Sequence, residues 1–217
     1  MMTTWRATTR GLSVLLLGML LAAPLNAAAK PDPQQAQAMV RDVTGRMLNV
    51  LREDIDEVDD EGAFLRQKMD EIVAPTLDFI TMTKLAVGRY WRDASNDQKR
   101  ALVTEFRELL LRTYAQSLKE YNNEQLELLP LQTGDRDDRV KVRSRVIQSD
   151  GPEFSVNYSL RFHDGQWKVY DIVIDGISMV TNYRSTFSSE IRSNGVDGLV
   201  STLRKKNRNN EDIEAGS

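Results

Sequence analysis

The sequence predicts an α+β fold: N-terminal helices, then a four-stranded antiparallel meander curled over helices, then C-terminal helices. Three observations predict it. Apolar residues recur every three or four positions from residue 30 to residue 123, the period of a helix face. Between Leu126 and Asp175 the period drops to two, the signature of half-buried strands. Helical spacing returns after Ser178.

Each element has its own local reason. Asp32-Pro33 is a strong helix start, with Asp as N-cap and Pro at the first helical position. Met39, Val43, Met47, Val50 or Leu51, and Ile55 follow on one face. The acidic stretch from Asp54 to Glu61, with Gly62, breaks that helix. A shorter one carries Phe64, Leu65, Met69, Ile72 and Val73 and stops at Pro75. A dense apolar stretch from Leu77 to Val87 forms a further short helix leading to Gly88-Arg89-Tyr90-Trp91. Ser95 and Gln98 have capping-box spacing. Behind them Leu102, Phe106, Leu109, Leu110, Tyr114, Leu118 and Tyr121 mark the longest helix, ended by Asn122-Asn123.

The four strands are Leu126–Leu131, the run through Val140, Val142 and Val146, Phe154–Phe162, and Gln166–Asp175. Asp164-Gly165 is a two-residue hairpin signal. On the last strand Trp167 and Val169 oppose Tyr170 and Ile172, and strict alternation leaves open which pair faces inward. A helix is expected from Ser178, with Val180, Tyr183, Phe187 and Ile191 on one face. Gly195 ends it, and Asp197 caps a last turn or two. From Lys205 onward the chain is polar and aperiodic, so residues 207–217 are expected to form a flexible tail.

Composition narrows the function classes. The 217 residues are 41% apolar and 28% charged, so a folded core is affordable. There is no cysteine and one histidine, His163, which removes disulfides, thiolate metal sites, a His metal cluster and a His-based triad with a Cys nucleophile. No metal or cofactor is expected. The net charge is −3 and becomes −5 if Arg6 and Arg10 are lost, with 27 basic residues against 32 acidic, so nucleic acid is not expected as a partner. No basic surface is expected either. Arg204, Lys205, Lys206 and Arg208 read as a solvated tail, since Glu211, Asp212 and Glu214 follow.

Residues 1–29 have the pattern of a secretory signal peptide: Arg6 and Arg10, an apolar run Gly11–Ala23, then small residues ending at Ala29. The run is too short to span a membrane, which needs about 20 apolar residues. Residues 30–206 are then one exported domain, expected as a monomer in the periplasm.

No phosphate loop, nucleophile elbow or metalloprotease motif occurs. Asp171, in an otherwise apolar run, is the one candidate general base, with Tyr158 or Tyr170 as donor. A cone-fold enzyme on a small apolar substrate is therefore the alternative function. A hydrogen-bonded strand Asp is the plainer account. A pure adaptor with ordinary core stripes is a third reading.

A family resemblance spans residues 88 to 206. Gly88-Arg89-Tyr90-Trp91, Phe106 and Tyr114 open it. Its sharpest part is Gly165-Gln166-Trp167-Lys168-Val169-Tyr170-Asp171, continued by Asp175-Gly176-Ile177-Ser178-Met179-Val180, Asn182-Tyr183-Arg184 and Phe187. Gly195, Asp197-Gly198-Leu199 and Leu203 close it. The chain resembles the MlaC (toluene-tolerance auxiliary) family, periplasmic phospholipid-binding components of an ABC transport system that maintains outer-membrane lipid asymmetry. Asp175 departs from the Glu expected there.

The resemblance implies an NTF2-like cone with a deep apolar cavity for acyl chains. It implies a non-enzymatic carrier that shuttles lipid between an outer-membrane lipoprotein–porin complex and an inner-membrane ABC complex with an MCE-domain protein. The expected tail-lining residues are Phe79, Leu85, Trp91, Phe106, Leu110, Tyr114, Val142, Val156, Tyr158, Val169, Ile172 and Val180. Ser178, as a helix cap, and Arg184 are the candidates for the headgroup phosphate. A two-tailed ligand calls for a cavity toward the upper end of the usual 300–1,000 Å³ range.

Overall fold

The structure is a computed structural model that describes residues 31–54, 60–120, 124–132, 136–148 and 151–211. The proposed signal peptide, the turns at Asn122-Asn123, Gly134-Asp135 and Ser149-Asp150, and the tail beyond Glu211 lie outside the described residues.

Helix α1 (Pro33–Asn49) starts where Asp32 accepts the Gln34 N–H at 2.9 Å. It buries Ala36, Val40 and Met47, then runs into a π-helical turn, Val50–Asp54, that buries Val50 and Leu51. Its buried stripe is therefore rotated from the expected one, and Met39 and Val43 pack only in part. Helix α2 (Glu61–Lys68) is capped by Asp60 and extends through a π turn, Met69–Val73, into a 3₁₀ turn around Pro75. Asp78 caps α3 (Phe79–Val87), which Gly88 terminates at φ 63°. The short α4 (Tyr90–Asp93) leads to α5 (Asn96–Ser117), where Ser95 and Gln98 form the full capping box. The α-helical part of α5 stops at Ser117, earlier than the apolar spacing suggests, because the chain tightens into a 3₁₀ turn, Leu118–Glu120.

Among the described residues five strands, not four, make one antiparallel sheet in the order β1 (Gln125–Leu128), β2 (Arg139–Ile147), β3 (Phe154–His163), β4 (Gln166–Ile174), β5 (Ile177–Ser178). Each strand pairs with the next in sequence. Asp164-Gly165 turns with positive φ at both residues, as a two-residue hairpin requires. Asp175-Gly176 does the same, at φ 45° and 85°. That second Asp-Gly reverses the chain into β5, so no helix starts at Ser178. A 3₁₀ turn, Thr181–Tyr183, precedes α6 (Arg184–Asn209).

Gly195 interrupts α6 with φ 72° and ψ 179°, so two helical pieces meet there, as its sequence position predicts. The second piece continues through the residues read as a loose tail. Arg204 Nε reaches Glu105 at 2.8 Å and the Asn207 amide donates to the Glu105 backbone at 3.0 Å. These contacts to α5 supply what the local sequence lacks, and they hold the helix as far as Asn209.

The interior has three packed regions. Phe106 meets Tyr183 and Phe187 edge-on, with ring centroids 5.3 and 5.2 Å away, and the latter two rings lie tilted at 5.6 Å, between α3, α5 and α6. Leu65, Ile72 and Leu111 join α2 to α5. Ala36 and Val40 of α1 press on Val142, Leu160, Trp167 and Val169 of the sheet. There the Trp167 indole donates to the Asp32 carbonyl at 2.9 Å.

Candidate functional site: an apolar cavity under the sheet

The inward row of the sheet is set by one irregularity. Leu160 pairs with Val169, but the next pair is Ser159 with Asp171, so Tyr170 is the extra residue of a β-bulge. The bulge switches parity. Trp167 and Val169 before it, and Ile172 and Ile174 after it, all face inward opposite Phe162, Leu160, Tyr158 and Val156. Both candidate pairs of the last strand thus contribute inward residues.

At the Trp167 end this face is filled by α1. Toward the other end a cavity of about 370 Å³ remains between sheet and helices. Phe154, Val156, Tyr158, Ile172 and Ile174 form its sheet wall. Leu110, Leu111, Tyr114 and Ser117 of α5, with Leu118 of the following turn, face them, and Met69, Val73, Leu77, Met82 and Met179 close the sides. The volume lies near the lower end of the usual ligand-site range, not the upper end expected for two acyl chains. Three methionines in the walls make it adaptable, because unbranched thioether chains re-pack at low cost.

Polar groups in the lining are few. Tyr158 turns its hydroxyl to Thr44 of α1 and Ser144 of β2, and burial pushes its pKa up. Its ring keeps some accessible surface because it borders the cavity, whereas the hydroxyl is enclosed. The Ser144 hydroxyl also donates to the Val156 carbonyl at 2.6 Å.

The interior has an outlet. A second chamber of about 330 Å³ shares Ser117, Leu118 and Phe154 with the cavity. It adds Thr44, Leu48, Glu124, Gln125, Leu126, Val146 and Gln148, where α1, α5 and the β1–β2 rim converge. Its lining is mixed in polarity, unlike that of the inner cavity.

Of the residues expected to line the cavity, the structure places five there: Leu110, Tyr114, Val156, Tyr158 and Ile172. Seven lie elsewhere. Val142 and Val169 are sealed beneath α1. Phe106 and Val180 are fully buried in the α3–α5–α6 core, and Leu85 and Trp91 pack on the margin of that core. Phe79 sits between two helical clusters under the Arg107 guanidinium, 5.5 Å from its ring centroid. Sequence periodicity finds buried faces, but it does not separate filled core from cavity wall. Phe154 and Ile174 carried a usable signal, being in step with Val156 and Ile172. Met69, Met82 and Met179 carried none.

Ser178 and Arg184 are not at the cavity. They border a separate open depression with Ile177, Thr181 and Asn182. Ser178 lies on β5. Its hydroxyl donates to Asp171 at 2.8 Å and accepts the Thr181 N–H at 3.0 Å, so it caps a 3₁₀ turn instead of opening a helix N-terminus to a phosphate. Arg184 lies across Gly88.

Asp171 is on the outer face of the sheet, paired with Ser159 and turned away from the cavity. Burial raises its pKa, against the opposing hydrogen bonds from Ser178 and the Val180 N–H. It does not face the cavity. His163 is exposed at the Asp164-Gly165 turn. No helix among the described residues is long and apolar enough to cross a membrane.

Comparison with known proteins follows this geometry. Residues 41–205 match the family model described as MlaC protein. The toluene tolerance protein ttg2D of Pseudomonas putida is 26% identical over 183 residues, 84% of this chain and 83% of that protein. The intermembrane phospholipid transport system binding protein MlaC of Haemophilus influenzae is 20% identical over 170 residues, 77% of this chain and 79% of that one. Among solved structures, a phospholipid-binding protein from Ralstonia solanacearum in complex with a phospholipid superposes with a TM-score of 0.72 at 31% identity. The match covers 80% of this chain and 97% of that one. With the helices, the antiparallel sheet and the cavity all in place, the chain belongs to the MlaC family.

Proposed function

We propose that this protein is a periplasmic carrier that encloses phospholipid acyl chains in the cavity beneath its sheet. On this reading it moves lipid between an outer-membrane lipoprotein–porin complex and an inner-membrane ABC complex bearing an MCE-domain protein, and so maintains outer-membrane lipid asymmetry. The carrying observation is the apolar cavity beneath the sheet, which shares Ser117, Leu118 and Phe154 with an outer chamber. Residues 1–29 serve as the export signal.

The physics asks for such a device. Two acyl chains hold about 30 methylenes, each worth roughly 0.8 kcal/mol in transfer from water, so free passage through an aqueous compartment costs on the order of 20 kcal/mol. A wall of Leu, Ile, Val, Met and aromatic side chains offsets that cost. The enclosed Tyr158 hydroxyl is already bonded and offers chains no unsatisfied group. Chain contact is assigned to Leu110, Tyr114, Val156, Tyr158 and Ile172, and also to Phe154, Ile174 and Met82. Transport energy comes from the partner, since the sequence has no nucleotide motif.

The test is a native mass spectrum of the exported chain purified without detergent, followed by lipid extraction. Added mass that releases glycerophospholipid is expected and gives the number of chains held. A bare polypeptide mass from a folded, fresh sample overturns the carrier reading.

A further inference from the structure

The sheet's outer face carries a charge pattern that the cavity does not use. On β2 the inward residues are Val140, Val142, Ser144 and Val146, and every intervening outward position is basic: Arg139, Lys141, Arg143 and Arg145. Outward neighbours on a strand are about 7 Å apart, so the row extends for roughly 20 Å. Such a row opposes folding through like-charge repulsion, and Arg139 also stands directly opposite Arg161 of β3.

Neutralisation is sparse. Arg145 pairs with Glu153 at 3.2 Å, and Arg161 pairs with Asp78. Arg139, Lys141 and Arg143 have no ion-pair partner within 4 Å among the described residues. Arg139 lies over the Tyr170 ring, and Arg143 reaches only the Pro130 carbonyl at 3.4 Å. The half-buried Asp171 feels the Lys141 charge but is already held by Ser178 and a backbone N–H. The three cations border an open depression of about 300 Å³ floored by Ser159. This is a basic face on a chain of net charge −3, contrary to what composition suggests.

We propose that this face adsorbs electrostatically to an anionic lipid bilayer. Charge complementarity calls for an anionic partner, and the make-up of the face selects a membrane over a protein. Specific protein interfaces are built around buried aromatic or aliphatic anchors. Here the β3 residues opposite the cations are Ser155, Asn157 and Ser159. The aromatic ring on this face, Tyr170, lies under Arg139, and cations without a free aromatic anchor fit a diffuse charged plane, where each Lys or Arg adds independently. The row also ends beside the outlet: Val146, next to Arg145, lines the outer chamber. Adsorption therefore brings the rim of the outlet to the headgroup layer.

The experiment is vesicle co-sedimentation of the full mature chain. One set of vesicles is pure phosphatidylcholine. The other contains about one-third phosphatidylglycerol, enough to give an anionic surface. Salt is varied from about 0.05 to 0.5 M, which shortens the screening length severalfold. Binding to the anionic vesicles alone, lost at high salt, is expected. K141E/R143E is expected to lower the partition coefficient about tenfold or more. The side chains point outward, and an unchanged circular dichroism melt confirms the fold. K205E/R208E makes the same change in net charge on exposed residues of α6 and is expected to leave binding within about twofold. Equal loss in both variants makes the effect one of net charge and overturns the proposal. So does absence of binding to anionic vesicles at low salt, which leaves the row to an acidic protein surface.

Discussion

Tyr158 and Asp171 stand on neighbouring strands and face opposite sides of one sheet, and their environments differ accordingly. The Tyr158 hydroxyl is enclosed with Thr44 and Ser144, so it ties α1 to the sheet beside the cavity. Tyr158→Phe leaves two hydroxyls short of a partner and is expected to cost about 1–2 kcal/mol, a fall of a few degrees in Tm by calorimetry. Burial raises the Asp171 pKa, so the folded chain holds that proton more tightly than the unfolded chain does. Its contribution to stability is full below the unfolded value, about pH 3.9, and is lost as pH rises through the higher folded value. Asp171→Asn, which keeps an acceptor for Ser178, is expected to flatten the decline in Tm as pH rises above about 4. A variant with the wild-type pH profile contradicts this account.

At the scale of elements, local signals and tertiary context divide the work. The Asp32, Asp60 and Asp78 caps and the Ser95 capping box need only neighbouring residues, and the structure has all four. The β4 bulge is different. Its Trp-Lys-Val-Tyr-Asp-Ile run reads as strict alternation, and only pairing with β3 shows that Tyr170 is supernumerary. Deleting Tyr170 restores regular pairing and keeps Trp167, Val169, Ile172 and Ile174 on the inward face, because the pairs on either side of the bulge already share that face. We expect the deletion variant to keep a sharp thermal transition in calorimetry, and loss of that transition contradicts the bulge assignment. Tyr170→Ala keeps the residue count and is expected to fold. The missed strand β5 had a visible cue, since Asp175-Gly176 repeats the dipeptide of the hairpin before it. Its two residues are too few for a periodicity to show.

For the molecule as a whole, the useful contrast is between filled core and cavity wall, which the same residue types make. Phe106 and Leu110 are one helical turn apart on α5. Phe106 meets Tyr183 and Phe187 in a packed cluster, and Leu110 borders open space. Phe106→Ala is expected to cost about 3–5 kcal/mol in denaturant unfolding and to lower lipid loading only through lost stability. Leu110→Trp fills the cavity, is expected to cost at most about 1–3 kcal/mol, and to abolish co-purified phospholipid while the chain stays folded. Equal lipid loading in the wild type and Leu110→Trp places the ligand elsewhere.

The sequence by itself determined the α+β class, the helix starts at Asp32 and Ser95, the order of the four long strands and the Asp164-Gly165 hairpin, because caps, turns and apolar periods act within a few residues. It also carried the family motif between Gly165 and Phe187. Tertiary structure alone decided the inward row of β4, the extension of α6 past Lys205, the separation of Ser178 and Arg184 from the cavity, and the unpaired cations on β2. Each of these depends on what one segment meets from a distant one: a strand partner, the Glu105 side chain of α5, or a counter-charge that is not there. A cavity is the extreme case, since it is defined by where distant side chains fail to meet, and no local pattern encodes that.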